Sequence, residues 1–308
     1  MKRLLVWMLS VTLLLGLLTG CSFQKEEPTE VTYTPEQIEA LESLGLMYDK
    51  ARPSHKIGTS YTLRKDAAVV VFLADDNESQ WDDASAEAFI QMVDEAMDFI
   101  CDNAKEYGVE LTLPRYIYRT TQERQIRYDG VVTTGGEELY ALTHMAKCLG
   151  HGDKISMHEA FQQELGMEQV AYIVATNKSS HSFAQALDHR LQEYIWCIPE
   201  FCVIDFPGDE DRTGIVAHEF LHMFGAQDFY RKEFDGASGL TVYYEGRVEL
   251  AKTLCPDEIM LGGRNPTADS TISSFTAYTV GWLDELPEEY NCDQWWVGSQ
   301  WEESYIPE

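Results

Sequence analysis

The sequence predicts an α/β (α+β) fold: a twisted mixed sheet backed by one long helix, followed by a small, mostly irregular and helical C-terminal part. Three observations predict it. The runs "AAVVVFLA" and "QVAYIVAT" are continuously apolar and rich in β-branched residues, as strands covered on both faces are. In "SAEAFIQMVDEAMDFICDNAKEYG" the apolar residues Phe89, Met92, Val93, Ala96, Phe99 and Ile100 recur at three- and four-residue steps, the mark of a core-packing helix. Near the C-terminus, "TISSFTAYTVGW" reads only as a short amphipathic helix from about Ile272 to Val280.

Taken in order, the chain of 308 residues begins with basic Lys2 and Arg3 and an apolar run, Leu4 to Leu18, too short to cross a membrane comfortably. This pattern marks an export signal. Its end, Leu18-Thr19-Gly20-Cys21, resembles the lipobox of bacterial lipoprotein signal peptides. The resemblance implies a signal peptide over 1–20, lipidation of Cys21, and a protein held on the outer face of a bacterial cell membrane. An ordinary signal peptide or an uncleaved anchor is the alternative. Polar residues with Pro28 make a linker over 21–34. Thr34, Pro35 and Gln37 then cap a helix running to about Tyr48, within an N-terminal helical segment over 35–66.

Without Lys2 and Arg3 the formal net charge moves from −29 to −31, which argues against nucleic acid or a bare anionic bilayer as partner. Six cysteines remain after Cys21: Cys101, Cys148, Cys197, Cys202, Cys255 and Cys292. None forms a CxxC pair, and Cys197 with Cys202 is the local pair nominated for a disulfide across "IPEF".

The main domain spans 67–308. A first strand at "AAVVVFLA" leads into the long helix, which Gly108 ends. "VELTLPRYIYR" reads as the second strand, so strand, helix and strand make a right-handed crossover in a partly parallel sheet. Residues from about Asp129 to Met167 form an insertion of short helices and glycine-containing loops before a third strand at "QVAYIVAT". "EYIWCIPEFCVIDF" suggests a hairpin of two further strands.

That hairpin leads into "AHEFLHMFGAQDFY", on a helix that Thr213 or Gly214 can cap. His218 and His222 lie one turn apart on the same face, the spacing a tetrahedral ion needs from one rigid element, with Glu219 beside them able to reach a bound water. The chemistry implied is hydrolysis by metal-activated water, with Glu219 as general base. A buried amphipathic helix that merely carries histidines is the competing reading. HExxH arises by chance in about one chain of this length in a hundred, and Gly225 with Asp228 lowers that by roughly a further few hundred.

His218, Glu219, His222 and Gly225 match, position for position, the HExxHxxGxxH pattern, and the motif resembles that of the metzincin zinc peptidases. Asp228 stands where most of that family carry histidine; some, snapalysin among them, use aspartate. The resemblance implies a metzincin-like fold with upper (67–225) and lower (226–308) subdomains, one catalytic zinc held by His218, His222 and Asp228, and a Met-turn at Met260 in "CPDEIMLGG". Glu245, Glu249 and Glu258 are alternative third ligands. A tyrosine two residues beyond the methionine serves some metzincins, but Gly262 occupies that position; Tyr230, Tyr243 and Tyr278 are unplaced candidates.

Other clusters are read as structural. His144, His151 and His158 recur every seven residues, but Gly150 and Gly152 interrupt them, so they are loop and surface histidines; His55, His181 and His189 have no partner in sequence. "ADDNESQWDD" and "PGDEDR" could hold calcium, yet neither fits an EF-hand loop, and solvated loops are the better reading. Trp295, Trp296 and Trp301 pack a tail onto the body. Together these features make a surface lipoprotein with a zinc endopeptidase domain acting on extracellular proteins or peptides, which would lie along an edge strand. A catalytically weak or inactive zinc-binding module is the alternative, and a lipoprotein with a merely buried helix is a third.

Overall fold

The computed structural model describes residues 58–132, 140–179, 181–186, 199–208, 210–229, 232–235, 240–243, 245–262, 267–296 and 299–300. Contacts along the chain set 1–31 apart from 32–308, and every described residue belongs to the latter unit. The expected signal peptide, Cys21, the linker, His55, His189, Cys197 and Trp301 lie outside the described residues, as does most of the segment 35–66. The described part of that segment, 58–66, is irregular rather than helical. Its backbone bonds elsewhere: Ser60 N–H donates to the Glu200 carboxylate at 2.8 Å and Leu63 N–H to the Val280 carbonyl at 2.8 Å.

The fold is mixed α/β, as predicted. Strand β1 (Ala67–Leu73) is followed by α1 (Asp83–Glu106), β2 (Arg115–Arg119), α2 (Ala141–Cys148), α3 (Lys154–Leu165), β3 (Gln169–Thr176), β4 (Phe183–Gln185), β5 (Phe201–Asp205) and α4 (Thr213–Met223). The C-terminal part contributes β6 (Lys232–Asp235), β7 (Leu240–Tyr243), α5 (Glu245–Leu254), α6 (Ser274–Thr279), α7 (Asp293–Trp296) and β8 (Ser299–Gln300). The main sheet has the order β2-β1-β3-β5-β4; β4 alone is antiparallel, at one edge. β6, β7 and β8 form a separate antiparallel sheet.

The continuous apolar run of β1 has its reason in two cores. Val69, Val71 and Leu73 face α1 and α4, while Ala68, Val70 and Phe72 face α2 and α3, so both strand faces are shut from water. Helix α1 begins at Asp82, whose side chain accepts the Ser85 N–H, and ends at Gly108 (φ 75°) with Val109 N–H bonded back to the Ala104 carbonyl at 3.0 Å. Phe89, Val93, Ala96 and Ile100 are fully buried along it, as their spacing requires.

Two strand boundaries differ from expectation. β2 starts only at Arg115, because Pro114 has no N–H to offer the ladder, although its carbonyl accepts from Val69 N–H at 2.9 Å. The antiparallel partner of β5 is Phe183–Gln185, well before the expected hairpin strand, whose residues 193–198 lie outside the described set. The insertion between Asp129 and Met167 does supply the short helices α2 and α3. Cys101, Cys148, Cys202, Cys255 and Cys292 are free thiols, so the pairing nominated for Cys202 is not made; this side chain is wholly buried in the first core.

Trp295 and Trp296 are buried as expected, in a cluster where Phe275 lies 4.9 Å from Trp295 and 5.7 Å from Trp296. His158 is a correction: it sits inside α3, 6% exposed, with Nδ1 2.9 Å from the Tyr172 hydroxyl. Burial pushes its imidazole down to about 4. His144 lies in α2 against the Tyr128 ring at 4.3 Å, whereas His151 stands in the loop between α2 and α3.

Candidate metal centre

Helix α4 carries the motif and is walled in by α1, β4 and β5. Its start is made by Asp211, whose carboxylate accepts the Thr213 N–H at 2.9 Å; Arg212 occupies the cap position, and Thr213, expected there, is the first helical residue. The Arg212 guanidinium reaches Asp205 at 3.4 Å and Glu210 at 2.8 Å, which ties the helix start to the end of β5. Val216, Ala217, Phe220, Leu221 and Met223 fill the core around it.

The helix stops where the sequence places its glycine. Gly225 has φ 102°, a conformation that side-chain-bearing residues resist. Gly225 N–H bonds to the His222 carbonyl at 2.9 Å and Ala226 N–H to the Leu221 carbonyl at 3.1 Å, the paired bonds of a left-handed helix end. The chain then doubles back, and Asp228 faces both histidines.

Backbone carbonyls decide which nitrogens face inward. His218 Nδ1 lies 3.2 Å from the Ile259 carbonyl and His222 Nδ1 2.8 Å from the Ala226 carbonyl. A carbonyl can only accept, so in the neutral rings both protons sit on Nδ1 and both Nε2 atoms present lone pairs. These two atoms are 3.1 Å apart, and Asp228 Oδ1 lies 3.1 Å from one and 3.2 Å from the other. Asp228 Oδ1 is shut from water with no hydrogen bond of good geometry.

Three acceptor atoms in a near-equilateral triangle repel one another unless a cation sits among them. The edges are close to the roughly 3.3 Å edge of a tetrahedron with bonds of about 2.0–2.1 Å, so the donor set fits zinc. Among the described residues, His218, His222 and Asp228 are the group of His, Cys, Asp and Glu side chains placed to hold a metal ion. In the metal-free protein a proton substitutes. Burial disfavours the charged ring of His222, yet the Asp228 carboxylate overrides it and lifts the imidazole to about 9. Burial likewise opposes the Asp228 charge, but His222 and His218 hold this carboxyl well below its usual range.

Glu219 is 9% exposed beside the triad. Burial pushes its carboxyl up, while the positive fields of His222 and His218 pull it down. The field of His181 also reaches Glu219. Sequence reasoning left His181 without a partner, because a lone histidine before a three-residue strand carries no periodic signal. The carbonyls of Ala226 and Ile259 were equally invisible, since an orienting main-chain oxygen has no residue type.

Met260 is fully buried in a single 3-10 turn, Ile259–Leu261, whose Met260 carbonyl accepts the Phe229 N–H at 3.0 Å. The turn thus abuts His218 through Ile259 and the residue after Asp228 through Met260. Of the alternative ligands, Glu249 is exposed and pairs with Lys252 at 2.9 Å, and Glu258 turns away toward α6. Glu245 opens α5; its side chain, with those of Tyr230 and Tyr243, lies outside the described residues. Tyr278 is buried in α6.

The first acidic cluster is not simply solvated. Asp76 is 1% exposed; its oxygens accept the N–H groups of Glu78, Ser79 and Val132 and meet Lys178 Nζ at 2.5 Å. Asp75 accepts from Trp81 N–H and the Thr120 hydroxyl. These carboxylates stitch the loop at the ends of β1 and β3, which leaves no open calcium cage there.

No family model matches the chain, and no curated protein matches it. The crystal structure of metalloproteinase-II from Bacteroides fragilis is similar at 10% identity with a TM-score of 0.39, over 80% of this chain and 60% of that one.

Proposed function

We propose that the protein is a zinc-dependent endopeptidase, exported and tethered by lipid on Cys21, that hydrolyses peptide bonds of extracellular proteins or peptides. One observation carries the reading: His218 Nε2, His222 Nε2 and Asp228 Oδ1 converge within 3.2 Å of one another with their lone pairs inward and a buried glutamate alongside. Such a triangle is costly to keep in a fold that has no cation for it.

His218, His222 and Asp228 would hold the metal. When bound, zinc supplies a Lewis acid that acidifies water and polarises a carbonyl. Glu219 takes the proton from the water as its oxygen attacks the peptide carbonyl carbon, then delivers that proton to the amide nitrogen as the C–N bond breaks. Its buried, upward-shifted carboxyl suits a group that must hold a proton briefly near neutral pH. An extended peptide would lie along β4, the edge strand of the main sheet among the described residues, through main-chain bonds.

The test is metal analysis of the purified chain, followed by digestion of a peptide library with chelator and Glu219→Ala controls. Stoichiometric zinc and Glu219-dependent cleavage are expected. Zinc without cleavage would leave a binding module, and purified protein without zinc would sink the metal reading itself.

A further inference from the structure

Glu258 is buried at 3% exposure, and nothing in the hydrolytic scheme uses it. Its surroundings say what it does. Oε1 accepts the Met260 N–H at 3.2 Å and the Thr276 hydroxyl at 3.1 Å, while Oε2 accepts the Ser273 N–H. One carboxylate therefore bridges the Met260 turn to the first turn of α6. Capping accounts for one of these bonds, since Glu258 is the N-cap of the Ile259–Leu261 turn through the Met260 N–H, but not for the reach to α6, which Ser273 already caps with its own side chain on the Thr276 N–H.

The turn it braces is the one that touches the metal triad from outside. The Ile259 carbonyl takes the His218 Nδ1–H at 3.2 Å, and the Met260 carbonyl takes the Phe229 N–H at 3.0 Å, next to Asp228. The backbone of the turn is pinned on its far side, with Ile259 N–H on the Thr271 carbonyl at 3.0 Å and Thr271 N–H on the Asp257 carbonyl at 2.7 Å. On its near side Glu258 supplies the side-chain hold, through the N–H of Met260 itself.

We propose that Glu258 is a positioning residue for the metal centre: by clamping the turn against α6 it sets where the Ile259 and Met260 carbonyls stand, and so aims His218 and Asp228. The inference rests on the metal-site reading of the triad. Burial pushes the Glu258 carboxyl up, and the bonds from Ser273, Met260 and Thr276 pull against it; a purely space-filling position would not gather three donors on one side chain.

The test compares Glu258→Gln and the milder Thr276→Val with the unaltered full-length chain. Zinc affinity is read by chelator competition, cobalt(II) substitution by its visible absorption, and the fold by circular dichroism. Glu258→Gln is expected to weaken zinc about 10- to 100-fold, as loss of an orienting partner does, and to shift the cobalt spectrum; Thr276→Val does the same to a smaller degree. If Glu258→Gln does not fold, Thr276→Val decides. A folded variant that binds zinc within twofold of the unaltered chain, with the same cobalt spectrum, overturns the proposal and leaves the metal reading standing. An unaltered chain that takes up neither metal overturns both.

Discussion

Replacing Asp228 by asparagine keeps its shape and removes its charge, which isolates what the carboxylate does to His222 before any metal binds. In the metal-free protein His222 is lifted from an ordinary 6.5 to about 9, and the Asp228 charge provides the lift against burial. The net shift, in which burial opposes and Asp228 is the largest favourable contribution, corresponds to about 3 kcal/mol. Because the folded value lies above the unfolded one, this stability is fully present below pH 6.5 and fades as pH rises toward 9. Metal-free wild-type protein should therefore lose about 3 kcal/mol in denaturant unfolding between pH 6.5 and 9 from this pair, and the Asp228→Asn protein should lack that loss. Imidazole resonances followed by NMR supply the direct reading: His222 titrates near 9 in the wild type and at or below 6.5 in the variant. Zinc must displace the same proton, so its affinity should rise about tenfold per pH unit between 7 and 8.5. A wild-type His222 that titrates near 6.5, or zinc affinity flat over that range, refutes the reasoning.

Further outcomes follow from the same structure. Gly225→Ala forces a side chain onto φ 102° and should cost about 1–2 kcal/mol in unfolding, with weaker zinc binding because the Ala226 carbonyl moves off His222. Met260→Ala empties a wholly buried position and should cost about 2–5 kcal/mol, measured by thermal or denaturant unfolding. His158 is held neutral by burial, down to about 4, so stability should fall by roughly 3 kcal/mol as pH drops from 6.5 to 4; His158→Gln should remove that slope.

How much of this was legible in sequence depends on where the information lies. The long helix, β1 and β3 were readable because apolar periodicity is a property of side chains taken in order. The boundary of β2 was not, since one missing N–H at Pro114 outweighed a favourable composition. His158 escaped because a heptad of histidines broken by glycines looks like surface, whereas its hydroxyl partner, Tyr172, sits on a strand across the layer. At the centre, the motif marked His218, His222 and Asp228 by spacing and Gly225 by its conformational need. The oxygens that orient the rings belong to Ala226 and Ile259, and only the folded path of the chain brings Ile259 there.

Phe229 follows Asp228 directly, and its ring packs 5.6 Å from Phe275 and 5.3 Å from Trp295. The aim of Asp228 is thereby moored to the aromatic cluster of Phe275 and Trp295, far along the sequence from the helix that carries the histidines. A chain shortened before Trp295 would keep every letter of the histidine motif and still lose the mooring. Read along the sequence, the motif is local; in the fold the placement of Asp228 is completed only when Phe275 and Trp295 pack against Phe229.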